Sequence, residues 1–125
     1  MRLRTPLVVV LDAALVALFS VFGRGAHSEG LGPAQVWNTA WPFLVGLGLG
    51  WVLLLAGRRD PRTVRSGVLV WLCTLVGGMA VWGLREGRVP HWSFVLVAGT
   101  ATALFLVGWR ALAGVVDRRR VAARA

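Results

Sequence analysis

The sequence predicts an all-α integral membrane protein, a bundle of four transmembrane helices with both termini in the cytoplasm. Its composition is the first reason, because 57% of the 125 residues are hydrophobic and only 15% are charged. The second is the presence of four separate apolar runs, and the third is the uneven placement of arginine between them. A soluble domain of this length seldom has so apolar a composition.

Each apolar run is close to the roughly 20 residues that a helix needs to cross about 30 Å of hydrocarbon. Backbone amides in lipid must be satisfied within the segment, so the runs predict helices rather than an open sheet. The whole chain, 1–125, is therefore expected to form a single transmembrane domain. The predicted helices cover residues 6–23, 36–56, 67–84 and 92–112, and a basic tail follows at 117–125.

The arginines predict the orientation of these helices. All 14 basic residues are Arg, and eleven of them fall before the first run, between the second and third, or at and after the end of the fourth. The other three are Arg24, Arg85 and Arg88. Loops rich in Arg stay in the cytoplasm, which predicts cytoplasmic termini and a location in the cell membrane. The formal charge of +9 is thus explained by topology, and no nucleic-acid partner is expected.

The first run carries the candidate polar site. At steps of four, four, three and four, Asp12, Val16, Ser20, Gly23 and His27 form one stripe on a helix. A polar stripe in a membrane helix is expected to face other helices rather than lipid. Cleavage as a secretion signal near Ala26 is a competing interpretation, disfavoured because Asp12 interrupts the apolar core.

Two interpretations of Asp12 stay open at this point. An acid within a membrane helix is typical of a proton- or cation-handling group or a substrate contact. Alternatively, Asp12 caps a helix end or pairs with a cytoplasmic arginine such as Arg4 or Arg65. Arg24 and His27 form a second polar position, about 22 Å further along the helix. No metal site is expected, because the spacing of the histidines and acids matches no metal-binding motif.

Glycines predict how the helices pack. The second run has Gly46, Gly48 and Gly50, and the third has Gly77 and Gly78. Small residues at this spacing let two helix backbones approach closely. The location of Pro42 depends on the helix start: it lies in the first turn if the cap is Asn38 or Thr39, and inside the helix if the start is near Pro33.

Several segments together resemble a known family. They are LDAALVALFSVFGRGAH, NTAWPFLVGLGLGW, VWLCTLVGGMAVWGLR and SFVLVAGTATALFLVGWRA. The combination is similar to small prokaryotic membrane proteins known as domain of unknown function 3054, over about residues 6–116. The resemblance implies a four-helix protein of the prokaryotic inner or plasma membrane. It implies no activity and therefore no catalytic residue.

The sequence leaves function as two hypotheses. The first is a bundle that binds or conducts a small solute, ion or proton, with Asp12, Ser20, Arg24 and His27 as its polar positions. The second is a non-catalytic membrane subunit that stabilises a partner membrane protein through its glycine faces. At this chain length, the first hypothesis predicts a homo-oligomer, which would be needed to enclose a path. No cofactor is expected, and an enzyme is disfavoured because no nucleophile–base pair or metal motif is visible.

Overall fold

A computed structural model describes residues 4–26, 32–89 and 92–124, with the backbone alone for 23–26. The structure is 88% helix, and the described ranges contain no strand, which confirms the all-α prediction. The helices are α1 (Thr5–Ala26), α2 (Pro33–Ala56), α3 (Val64–Glu86), α4 (Trp92–Leu106) and α5 (Gly108–Arg124). Four helical stretches are long and apolar enough to cross a membrane, the last being the combined Trp92–Arg124.

Local capping explains where α2 and α3 begin. Helix α2 starts at Pro33, whose fixed φ suits the first helical position, and the Gln35 side chain accepts the Gly32 N–H at 2.9 Å. Pro42 therefore lies inside the helix. Helix α3 is capped by Thr63, whose hydroxyl accepts the Ser66 N–H at 3.1 Å. It ends at Gly87, where a φ of 68° suits a residue without a Cβ.

Helices α4 and α5 form one nearly continuous rod. Only Val107 separates them, and helical hydrogen bonds continue through it, from Val107 N–H to Ala103 O at 2.9 Å and from Ala111 N–H to Val107 O at 3.0 Å. The helix therefore runs past residue 112, and the basic tail that begins at 117 is helical as far as Arg124.

The helices form a closed, antiparallel ring in which α1 contacts α2, α2 contacts α3, α3 contacts α4, and α4 contacts α1. Phe43 lies in the core, with edge-to-face contacts to Phe19 of α1 and Phe94 of α4. Large apolar side chains such as Val10, Val76 and Leu104 are exposed on the outside. An apolar exterior of this extent is typical of a surface that meets lipid.

The closest helix contact is the glycine interface between α2 and α3, formed by Gly46, Gly50, Gly77 and Gly78. A Cβ added at Gly46 would lie 2.5 Å from Cys73 O and 2.9 Å from Thr74 Cα, and one at Gly77 would lie 2.8 Å from Gly46 Cα. Gly78 is covered by the Phe43 ring. Gly48, by contrast, has nothing within 4 Å and faces away from α3.

Candidate functional site

A buried ion pair joins the first and last apolar helices. Asp12 of α1 is 0% exposed and Arg110, near the start of α5, is 1% exposed. Arg110 NH1 donates to Asp12 Oδ1 at 2.9 Å and NH2 donates to Oδ2 at 2.7 Å. This bidentate geometry matches the planar guanidinium to the carboxylate and makes a strong, charge-assisted contact.

Two tryptophans complete the hydrogen bonding of the carboxylate. Trp51 Nε1 donates to Asp12 Oδ2 at 3.0 Å, and Trp109 Nε1 donates to Oδ1 at 2.9 Å. Each oxygen thus accepts two hydrogen bonds. These four donors occupy the acceptor positions of the two carboxylate oxygens.

The guanidinium of Arg110 is also tied to the backbone. Its Nε donates to Pro61 O in the α2–α3 loop, and NH1 donates to Leu106 O, both at 2.8 Å. The charge lies 4.7 Å from the centre of the Trp109 ring, within the range of a cation–π contact. The pair therefore connects α1, α2, the α2–α3 loop and the α4–α5 junction.

Gly67 of α3 makes room for Arg110. A Cβ at this position would lie 2.6 Å from Arg110 Cδ and 3.2 Å from Leu106 O. The absent side chain lets the arginine reach Asp12 while α3 packs against the α4–α5 junction. All four spans thus contribute to the surroundings of one ion pair.

A second feature is an apolar groove between α3 and α4, with a volume of about 1040 Å³. It is lined by Val68, Trp71, Leu75, Trp92, Val95, Leu96, Gly99, Thr100, Ala103, Leu104, Val107 and Gly108. The polar groups along it are occupied: Trp71 Nε1 donates to Gly99 O at 2.9 Å, and the Thr100 hydroxyl donates to Leu96 O at 2.9 Å. The groove therefore presents hydrocarbon and aromatic surface.

A profile of the family described as "Protein of unknown function (DUF3054)" matches residues 9–113. The chain belongs to this family. The resemblance drawn from the sequence is thereby confirmed. The match includes Asp12, Trp51, Trp109, Arg110 and the whole groove, and it ends before the arginine cluster of α5. No curated protein and no solved structure matches the chain significantly.

Of the predicted polar positions of this DUF3054 chain, the two whose side chains are described, Asp12 and Ser20, bond to different partners. Asp12, Val16 and Ser20 are all buried on the inner face of α1, but the Ser20 hydroxyl donates to Val16 O at 3.1 Å. The Arg24 side chain and His27 lie outside the described residues. Within the described ranges, no group of three or more His, Cys, Asp or Glu side chains is arranged to hold a metal.

The sequence does not predict Arg110, Trp51 or Trp109 as partners of Asp12. It places Arg110 among the arginines that set the topology, and it suggests Arg4 or Arg65 as the partner instead. The sequence contains one signal for Arg110. This residue directly follows an apolar run and an indole, whereas the other arginines in the C-terminal half of the chain lie in or beside polar segments. A lone acid and a lone base within apolar helices are expected to pair.

Proposed function

We propose that this DUF3054 protein is a multi-pass protein of the cell membrane that binds a small apolar or amphiphilic solute in the groove between α3 and α4. The observation that carries the proposal is the groove itself, whose volume of about 1040 Å³ is slightly above the usual range for ligand sites. Its two tryptophans, Trp71 and Trp92, offer rigid apolar contact surface.

Solute binding is favoured over conduction of ions or protons by the state of the buried polar groups. The carboxylate of Asp12 accepts four hydrogen bonds, which leaves no free acceptor for a passing cation. The hydroxyls of Thr74 and Thr102 each donate to a carbonyl four residues earlier in the same helix. These groups support a structural role for the interior.

The proposed orientation places both termini in the cytoplasm. Arg58, Arg59 and Arg65 are exposed at the end of the bundle that holds the α2–α3 loop and α5, whereas Arg85 and Arg88 lie at the opposite end. The excess of arginine at the first end supports a cytoplasmic location for it. Reporter fusions after Arg62 and Ala125 should report the inside and a fusion after Gly87 the outside; a cytoplasmic signal at Gly87 would contradict this orientation.

The groove is tested by filling it. Ala103→Trp places an indole in the lining, and Ala14→Trp, on the exposed side of α1, is the matched control. Protein purified in mild detergent is analysed by mass spectrometry of the extracted small molecules. We expect a stoichiometric solute with the wild type and with Ala14→Trp, and its loss with Ala103→Trp. Equal amounts in all three proteins, or none in the wild type, would contradict the proposal.

The second candidate is the subunit that stabilises a membrane partner, and Gly48 favours it. This glycine opens to free space on α2, close to the exposed Val45, Leu49 and Val52, so another helix could approach the backbone there. A protein that co-purifies in stoichiometric amount and is lost in Gly48→Leu would support this candidate. Loss of the protein in Ala103→Trp alone would instead place the partner in the groove.

A further inference from the structure

The face of α4 that lines the groove continues onto α5. Ala103 and Val107 lie on this face, and steps of four, three and four residues from Val107 lead to Ala111, Gly114 and Arg118. The rod is nearly continuous from Trp92 to Arg124, so the register is maintained across Val107. Arg118 is exposed. The apolar groove therefore leads toward a cation.

Along the axis of the α4–α5 rod, Arg118 lies at the level expected for lipid headgroups. At 1.5 Å per residue, Leu112 lies about 30 Å from Trp92, which is the thickness of the hydrocarbon core. Arg118 lies about 9 Å beyond Leu112, in the polar region of the bilayer. On the other side of the groove, Arg65 of α3 is exposed and precedes the lining residue Val68 by one helical turn.

We propose that the groove binds an anionic phospholipid, with an acyl chain between α3 and α4 and the phosphate beside Arg118 and Arg65. This inference rests on the proposed function and names the class of its solute. An apolar groove with cations at one end is complementary to a molecule with a hydrocarbon chain and an anionic head. Each arginine near an anionic membrane surface contributes about 1 kcal/mol, or about fivefold in affinity.

Charge also argues against a second copy of this chain in the same position. Segment 117–124 has four arginines and one aspartate, and two copies meeting along this face would bring like charges together. An uncharged solute would use the groove without using the arginines. The anionic lipid is the occupant that uses both parts of the surface.

The test compares phosphatidylglycerol with phosphatidylcholine of identical acyl chains, added to the full chain in a non-ionic detergent. Native mass spectrometry counts bound lipids, and titration gives the affinities. Arg118→Gln removes the charge, Arg118→Lys keeps it, and Arg119→Gln is the matched control, since Arg119 points to another side of α5. Ala103→Trp blocks the groove, with Ala14→Trp as its control.

We expect the wild type to bind phosphatidylglycerol in preference to phosphatidylcholine and Arg118→Gln to bind phosphatidylglycerol about fivefold more weakly. Binding of phosphatidylcholine should weaken less in Arg118→Gln, because the choline cation offsets the charge of its phosphate, and Arg118→Lys and Arg119→Gln should keep the preference. Ala103→Trp should lose both lipids, whereas Ala14→Trp should keep them.

Other results would overturn the inference in distinguishable ways. Equal affinity for the two lipids, or a preference that Arg118→Gln does not reduce, would rule out the anionic lipid, although the groove could still hold a solute that Ala103→Trp displaces. Lipid binding that persists in Ala103→Trp would remove the groove as well, and with it the proposed function. A protein dimer that carries no bound lipid, and that becomes a monomer in Ala103→Trp, would assign the groove to a second copy of the chain.

Discussion

The α2–α3 interface and the α1–α4 interface hold the same bundle together by different means. Between α2 and α3 the backbones approach until Gly46 and Gly77 leave no room for a side chain. Between α1 and the rod formed by α4 and α5, the contact centres on the Asp12–Arg110 pair and its two indole donors. One interface depends on the absence of side chains and the other on two specific ones.

These two kinds of interface are the ones expected for a bundle of apolar helices in lipid. Lipid tails are as apolar as leucine, so burial of leucine does not drive helices together in a bilayer. Close backbone packing and hydrogen bonds between polar groups remain as sources of stability. The glycine interface uses the first and the ion pair uses the second, which makes the two interfaces sensitive to opposite kinds of substitution.

The largest effect is expected from Asp12→Leu. Removing one partner leaves the Arg110 charge buried and unpaired, which costs about 3 to 5 kcal/mol. The free energy of unfolding in detergent should fall by that amount. The double variant Asp12→Leu/Arg110→Met should recover part of the loss, because two apolar side chains leave no buried charge. An Asp12→Leu variant more stable than the wild type would mean that the ion pair does not hold α1 to the rod formed by α4 and α5.

A smaller effect is expected from Gly46→Leu. Its side chain would meet the backbone of Cys73 and Thr74, so α2 and α3 must separate. Overpacking of this kind costs about 1 to 3 kcal/mol. Gly48→Leu is the control on the same helix, since nothing lies within 4 Å of it. Equal losses of thermal stability at the two positions would show that α2 does not use its glycines against α3.

The smallest of the three effects is expected from Trp51→Phe. An aromatic ring of smaller size remains, but Asp12 Oδ2 loses the indole donor at 3.0 Å and keeps Arg110 NH2. The loss of one hydrogen bond should cost about 1 kcal/mol. Trp37→Phe, at an exposed indole, should change the stability little. If Trp51→Phe is as harmful as Asp12→Leu, the indole rather than the arginine is the main partner of the carboxylate.

Sequence reasoning was sufficient for the four long apolar helices, because length and apolarity can be read from each run of residues alone. It did not determine the start of α2, since both Asn38 and the Gly32–Pro33 step carry helix-start signals. The sequence also predicted that the fourth helix ends at residue 112. Charged residues there end the apolar run, but they do not end the helix. Arg118, Arg119 and Arg120 are all compatible with helix.

The partner of Asp12 was missed for a different physical reason, although the apolar surroundings of Arg110 were a signal in the sequence. Asp12 and Arg110 are 98 residues apart, and several arginines lie at the same end of the bundle. The choice among them depends on the packing of α3 against the α4–α5 junction, where Gly67 leaves space for one arginine side chain. Spacing within one helix carries no information about that packing.

The separation between Asp12 and Arg110 also has a consequence for the order of events during synthesis. Arg110 is made 98 residues after Asp12, which at 5 to 20 residues per second is a delay of about 5 to 20 s. In the proposed membrane, α1 must wait in the translocation machinery or in the lipid with an unpaired acid until the last helix emerges. A nascent chain that stalls before Arg110 would lack the guanidinium that pairs with Asp12 in the finished bundle.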